Sequence, residues 1–429
     1  MPAADAAWLH MDSDTNPMVV NSLVRLAQMP APEAVEAVVE ERMIAPYPRF
    51  RQRVSDPLGR TPAFEDDPSF DIGNHLHRIA LPAPGDEATL RETIGDLIGA
   101  PLDPTKPLWH AYLIEGADGA AAVLWRIHHS IADGLALAQV MLSMTDGAPR
   151  PKRQPAPDAP APSLLGRVLH EATATLANPA HLRELGSGAL REVATAAKLV
   201  GGPADPPTVL SRPLNGARRV AWSRPFPLER VKDACHRQRV TVNDLLLTAL
   251  AATIAEEVPW EGRPELLHTM IPVNLRPADE PVPAELGNDF ALVVLELPLE
   301  ELPAPERLRR VNSAMNKIKS SPEAPLAFGL LNAMGMVPRG VEDRIVGFFT
   351  GKASMVVTNV PGPQEQLSFA GAPIEGVLVW APCSGSIGMT VSIFSYAGGV
   401  TTGFMTDTAL VPDPEPLARR YEEELRLLT

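Results

Sequence analysis

Residues 128–134 read HHSIADG, so two adjacent histidines, His128 and His129, are followed four residues on by Asp133 and then by Gly134. An imidazole with an ordinary pKa of about 6.5 can take a proton in a transition state and return it moments later. Neighbouring side chains on an extended strand point to opposite faces, so only one of the pair can serve a given cavity and the other is structural. Counting back from His129 along one face gives Ile127, Trp125 and Val123, whereas His128 shares its face with Arg126 and Leu124. His129 therefore closes an apolar face, which suits a substrate with a polar reacting group on an apolar body. A hydroxyl acceptor fits, and an acyl thioester donor would need no protein nucleophile, because the acceptor oxygen can attack its carbonyl directly.

Asp133 can orient an imidazole or pair with an arginine. The second role is favoured, with Arg276 of the segment IPVNLRP as partner, because a buried carboxylate needs a bidentate cation. That pair would join two parts of the chain, with Gly134 allowing a tight turn between strand and helix. A lone buried histidine is more often a hydrogen-bonded core residue, so the cluster carries the chemical reading. Adjacent histidines lack the spacing of a zinc-chelating pair, with no nearby Cys or Glu to complete a set, and no metal is expected. Ser130 lacks the G-x-S-x-G elbow of a serine nucleophile.

The elements that must position these residues follow from periodicity. The apolar run Ala120 to Ile127 reads as a buried strand ending at the histidines, and a helix should start near Ala132 with Leu137, Val140, Met141 and Met144 as its buried stripe. Thr241 to Ile254 is a second helix, with Val242, Leu245, Leu246, Leu250 and Ile254 at helical spacing. Strands are expected over His268 to Val273, Phe290 to Leu297, Ser354 to Asn359 and Gly388 to Ser395. Helices and strands intermix in both halves, which predicts α/β or α+β sandwich lobes rather than a helical bundle. Residues 146–163 hold six prolines and read as an exposed connection. A helical stretch from Leu164 to Val200 and the break GGPADPP follow it. The division expected is a first lobe over 1–145, a linker and helical crossover over 146–210, and a second lobe over 211–429.

Bulk properties agree with two lobes and narrow the function. A chain of 429 residues exceeds what one core usually organises. The formal net charge of −14 argues against a nucleic-acid partner. Two cysteines, Cys235 and Cys383, give no disulfide scaffold and fit a reducing compartment. The sequence has no run of about 18 apolar residues, as a spanning helix needs, and its N-terminus has no secretory pattern. A cytoplasmic protein, soluble or peripheral on a membrane or lipid droplet, is expected.

HHSIADG, together with PLW at Pro107 to Trp109 and Asn243-Asp244, resembles the bacterial wax ester synthase/acyl-CoA:diacylglycerol acyltransferase family. LHMDSDTNPM, DDPSFD, LNGARR, PVNLRP, LGNDF, TNVPGP and SYAGGVTTGFMTD extend the likeness over most of the chain outside about 146–210. HHxxxDG alone is shared with chloramphenicol acetyltransferases and peptide-synthetase condensation domains; the ordered set of motifs is what resembles the family. The sequence departs from the family at Pro104, where a basic residue is frequent, and at Phe64, where Trp is frequent.

The resemblance implies two chloramphenicol acetyltransferase-like lobes, with a tunnel admitting acyl-CoA from one side and the acceptor from the other. It implies His129 as the catalytic base and His128, Asp133 and Gly134 as supporting positions. Asn243 and Asp244 match a pair that supports the tunnel, or they start a helix capped by Thr241 or Asn243. Trp109 shapes the fold or an acyl wall, and Asn359 ends a strand or helps to hold the site. The activity implied is transfer of a long acyl chain from acyl-CoA, a substrate and not a cofactor, to a fatty alcohol or diacylglycerol. Esterification of a polyketide or other secondary-metabolite alcohol, and non-catalytic lipid binding, are the alternatives. A basic cluster for coenzyme A is expected either at Arg150, Lys152 and Arg153 or at Arg307, Arg310, Lys317 and Lys319, where a solvated face or a lipid-headgroup contact competes with that reading.

Overall fold

The computed structural model describes residues 1–56, 61–116, 119–149, 207–275, 282–319, 351–383 and 385–429. The expected helix over 164–200 and the basic residues Arg150, Lys152 and Arg153 lie outside these, as does Arg276.

Two mixed sheets carry the chain. The expected histidine strand is β6 (Ala121–His128), with every residue buried. It lies between β1 (Val19–Leu26) and β5 (Trp109–Glu115), antiparallel to both, and β4 (Leu76–Ala80) runs parallel beyond β5. On the other side of β1 comes β13 (Ala372–Trp380), and then the short β12 (Ser368–Phe369). The first sheet is thus completed by strands from the last quarter of the sequence, and its organisation cuts across a division of the chain at about residue 210. Alternation along β6 holds: Val123, Trp125 and Ile127 join a core with α4 (Gly134–Ser143), while Ala122 and Leu124 face α3 (Glu87–Gly99). In α4, Leu137 and Val140 are buried and Met141 is partly so.

The second sheet runs β10 (Phe290–Pro298), β9 (Leu266–Asn274), β11 (Met355–Pro361), β14 (Met389–Tyr396), β15 (Gly399–Asp407), β7 (Arg218–Trp222), with β8 (Phe226–Pro227) also paired to β15. Each strand expected in this half is present within about two residues at its ends. One face packs on α5 (Leu228–Gln238), α6 (Val242–Glu257), α7 (Ala304–Lys319) and α8 (Glu415–Leu428), the largest core among the described residues. Asp244 and Thr241 form a reciprocal cap at the start of α6, the arrangement that satisfies two orphan amides at once.

A separate apolar cluster joins Leu23, Leu124, Leu378 and Trp380 of the first sheet to Val220, Trp222 and Met405 of the second. Beside it, buried Arg218 bridges to Asp407 at 3.0 Å and donates to Thr15 O at 2.8 Å and Asn16 Oδ1 at 2.9 Å. The N-terminal segment is thereby pinned to the second sheet. Arg218→Met should lower unfolding free energy in urea by about 3 kcal/mol or more, since it strips a buried carboxylate of its cation. Arg219→Met, which breaks the exposed pair with Asp96 at 3.1 Å, should cost less than about 1 kcal/mol.

Candidate active site

β6 ends at His128, and the chain then turns so that the His129 amide donates to Met18 O at 2.7 Å. The two imidazoles face different partners. His128 Nδ1 lies 2.8 Å from Ser130 Oγ and accepts from the Ser130 amide at 3.1 Å. A ring nitrogen that accepts from a backbone N–H carries no proton, so in the neutral ring the His128 proton is on Nε2. That atom lies 3.6 Å from Asp12 Oδ1, long for a hydrogen bond. His128 braces the turn.

His129 is held in the opposite tautomer. Its Nδ1 lies 2.8 Å from Asn288 Oδ1. Asn288 Nδ2 donates to Asp5 Oδ1 at 2.8 Å and to the His129 carbonyl at 2.8 Å. Both acceptors require the amide nitrogen, which leaves the amide oxygen toward the imidazole, and an amide oxygen can only accept. Nδ1 of His129 is therefore protonated and its Nε2 bears the lone pair of a base. Behind Asn288, Asp5 also accepts from the Asn288 amide at 3.0 Å and pairs with Arg49 at 2.8 Å. Arg49 in turn donates to Ser130 O at 3.1 Å and Ile131 O at 2.7 Å, and its guanidinium lies 4.5 Å from the centre of the Phe64 ring. Phe64, one of the two departures from the family pattern, thus keeps an aromatic face on this cation.

Aromatic rings complete the surroundings. Trp8, from α1 (Ala3–His10), stacks on His129 with centroids 4.3 Å apart and planes 14° from parallel, and Phe290 lies 5.2 Å away. Burial holds the His129 imidazole down to about 4, against the smaller upward pulls of the Asp133 charge, its own carbonyl and Asn288. It is a neutral ring at neutral pH.

Asp133 serves the backbone. Oδ1 caps α4 by accepting from the Ala136 amide at 2.8 Å, and Oδ2 accepts from the Asp289 amide at 2.9 Å. Its own amide donates to Gly287 O at 3.1 Å, and Ala132 forms a parallel bridge with Gly287. Asp133 therefore ties the start of α4 to the segment 287–289, its carboxylate accepting from the Ala136 and Asp289 amides and its own amide donating to the Gly287 carbonyl; the expected partner Arg276 lies outside the described residues. The role given to Gly134 is corrected: its φ is outside the positive range, and a Cβ there would meet nothing within 4 Å. The positive φ occurs instead at Leu286, 54°, and Gly287, 113°, where the chain turns to aim Asn288 at His129.

The other expected residues are dispersed. Trp109 is fully enclosed, donates to Phe50 O at 2.7 Å and stacks on His75 at 4.6 Å, so it shapes the fold of the first lobe. Asn359 donates to Asn243 Oδ1, tying β11 to the start of α6. Asp244 Oδ2 accepts from Thr241 N at 2.9 Å and Asn312 Nδ2 at 2.8 Å, the helix-start reading of that motif. In α7, Arg310 pairs with Glu300 at 2.6 Å and Arg309 with Glu306, and Arg307 is buried; several of its cations are thus engaged by neighbours. Asp5, Arg49, Trp8 and Asn288 were not singled out from sequence, although Asn288 stands in the LGNDF motif.

A profile of the wax ester synthase/diacylglycerol acyltransferase catalytic domain matches residues 1–246, and one of the C-terminal domain of the same family matches 286–429. A Mycobacterium tuberculosis protein named as a diacylglycerol O-acyltransferase is 28% identical over 448 residues, covering 99% of this chain and 94% of the relative. The solved wax ester synthase/diacylglycerol acyltransferase of Marinobacter aquaeolei VT8 superposes with a TM-score of 0.69 at 21% identity, over 100% of this chain and 98% of that one. The first condensation domain of the CDA synthetase gives 0.61 at 15% identity, over 99% and 94%.

The buried imidazole has a consequence for stability. Between about pH 6.5 and 4 the unfolded chain binds a proton at this residue that the native protein refuses. Unfolding free energy should therefore fall as pH drops through that window, by about 3 kcal/mol from His129 alone. Urea unfolding at pH 7 and pH 4 should show that fall, and His129→Leu should be less pH-sensitive by that amount.

Proposed function

The chain belongs to the wax ester synthase/diacylglycerol acyltransferase family, and from that premise we propose that His129 Nε2 is the general base of its acyl transfer. The protein is an acyl-CoA-dependent O-acyltransferase of the kind that makes wax esters and triacylglycerol. The observation that carries the assignment of the base is the Asn288 amide, which holds the Nδ1 proton and leaves Nε2 with its lone pair.

The reaction follows from that lone pair. The acceptor hydroxyl donates its proton to Nε2 as its oxygen forms a bond to the thioester carbonyl carbon, and the carbonyl π pair moves onto oxygen. An alcohol is too weak an acid for imidazole to ionise first, so proton transfer and attack are concerted. When the tetrahedral adduct collapses, the C–S bond breaks and the coenzyme A thiolate takes the proton back from Nε2. The Nδ1–H bond to Asn288 Oδ1 strengthens while the ring is cationic, and the nearby Trp8 face favours the same form. No second nucleophile is needed. Both cysteine thiols are buried and pushed up, Cys235 to about 11 and Cys383 to about 12, far from thiolate chemistry at neutral pH.

Fatty alcohol and diacylglycerol are the acceptors this reading favours over a secondary-metabolite alcohol, because the matching family is named for wax ester and diacylglycerol chemistry, as are the Mycobacterium tuberculosis and Marinobacter aquaeolei relatives. Neutral lipid products must leave into a lipid phase, which supports peripheral association with a membrane or droplet surface. No helix among the described residues is long and apolar enough to cross a membrane.

Thiol release from palmitoyl-CoA with hexadecanol or dioleoylglycerol tests the proposal. His129→Ala, with folding verified by circular dichroism, should lower turnover on the order of 10²–10⁴-fold, whereas a near-wild-type rate would remove His129 from the mechanism. The acidic limb of kcat/KM should fall near pH 4 and not near 6.5, because only the neutral ring can act and burial keeps it neutral down to about 4.

A further inference from the structure

β10 leaves the active site as an edge strand of the second sheet, starting at Phe290 against the His129 ring. By strand alternation Phe290, Leu292 and Val294 share one face. Ala291, Val293 and Leu295 on the opposite face are at most 1% exposed. Leu292 and Val294, by contrast, are only half-buried. Across the sheet Val294 sits opposite Met270, which in turn sits opposite Val356.

Two small apolar clusters lie along this face. One, next to His129, holds Trp8, Met18 and Phe290 with Met11 and Leu292 at its margin. The other holds Met270, Val356 and Ile387, again with Leu292 at its margin. Leu292 is common to both and is itself only half-buried. The result is an apolar strip that begins at the reacting imidazole and continues about 13 Å along the strand to Val294. An apolar strip that starts at a catalytic base and leaves Leu292 and Val294 half-buried is matched to an alkyl chain attached to the reacting group.

Building on the acyltransferase reading, we infer that the face of β10 and β9 that carries Phe290, Leu292 and Met270 is the alkyl-chain subsite of this protein and that Leu292 sets how long a chain it accepts. The chain is supplied by the acyl group of the thioester or by the fatty alcohol. Both present the same chemistry to Phe290, Leu292 and Met270, and one holds the strip while its partner approaches from elsewhere.

The test is a chain-length profile for wild type and Leu292→Trp. Acyl-CoA of eight to eighteen carbons is varied with hexadecanol fixed, and then alcohol length is varied with palmitoyl-CoA fixed. In one series the ratio of kcat/KM for the sixteen-carbon over the eight-carbon substrate should fall about tenfold or more in Leu292→Trp, the effect of denying about two methylenes their contact. The series that responds identifies the source of the chain. Leu292→Ala, which adds no bulk and guards against a misfolded tryptophan variant, should shift the same series toward longer chains. Unchanged ratios in both series for both folded variants would overturn the subsite. Absence of transfer by the wild type would instead overturn the acyltransferase reading. Binding of pyrene-labelled probes of two lengths, acyl-CoA or fatty alcohol according to the series that responds, to wild type and Leu292→Trp then tests the strip separately: a loss confined to the longer probe supports it, and equal binding of both probes to both proteins overturns it.

Discussion

One carboxamide holds the site together. The Asn288 amide oxygen accepts from His129 Nδ1, and its amide nitrogen donates to Asp5 and to the His129 carbonyl, so one side chain grips His129 at two points and Asp5 at a third. The end of β6, the helix at residues 3–10 and the lead into β10 therefore meet at a single side chain. The turn that aims it places Leu286 at a φ of 54°, which costs a non-glycine residue roughly 1–2 kcal/mol. Two contacts hold that turn in place: the parallel bridge at Ala132, which contains the Asp133–Gly287 hydrogen bond, and the Asp133–Asp289 hydrogen bond. Local strain is tolerated there because the surroundings over-determine the conformation.

Burial and hydrogen bonding act on His129 in opposite directions, and the balance fits a base. Desolvation is the larger influence and keeps the ring neutral, so the lone pair is available throughout the physiological range. The neighbouring Asp133 charge, the amide oxygen and the aromatic faces of Trp8 and Phe290 lower the cost of the imidazolium when it forms. Asp5 does not touch the imidazole. Paired with Arg49 and fully enclosed, it fixes which way the Asn288 amide points, and so which nitrogen of His129 is the base.

Much of this was legible in the sequence, and what was not has a physical reason. The strand before the histidines, the helix after them and the helix at residues 242–257 follow from apolar periodicity, because burial on one face sets both pattern and structure. The two histidine rings do take different partners, but β6 ends at His128 and the rings against His129 belong to a different cluster from Val123, Trp125 and Ile127. Periodicity is silent on long-range pairing. That β13 joins β1 at a separation of more than 300 residues, or that Asp5 reaches Asn288, depends on topology and leaves no local trace. Asn288 sat in a recognisable motif, LGNDF, but a motif does not say which atom its asparagine serves. The bridge from Asp133 was expected of an arginine side chain, whereas both oxygens find backbone amides among the described residues, partners that composition cannot reveal.

The tautomer of His129 is observable directly. Long-range proton–nitrogen NMR spectra of protein labelled with ¹⁵N-histidine, recorded from pH 8 down to pH 4, report which ring nitrogen carries the proton. His129, identified by the signal lost in His129→Gln, should be protonated on Nδ1 alone and stay so until the pH approaches 4. A His129 protonated on Nε2 at neutral pH, or one that becomes doubly protonated near pH 6.5, would contradict this.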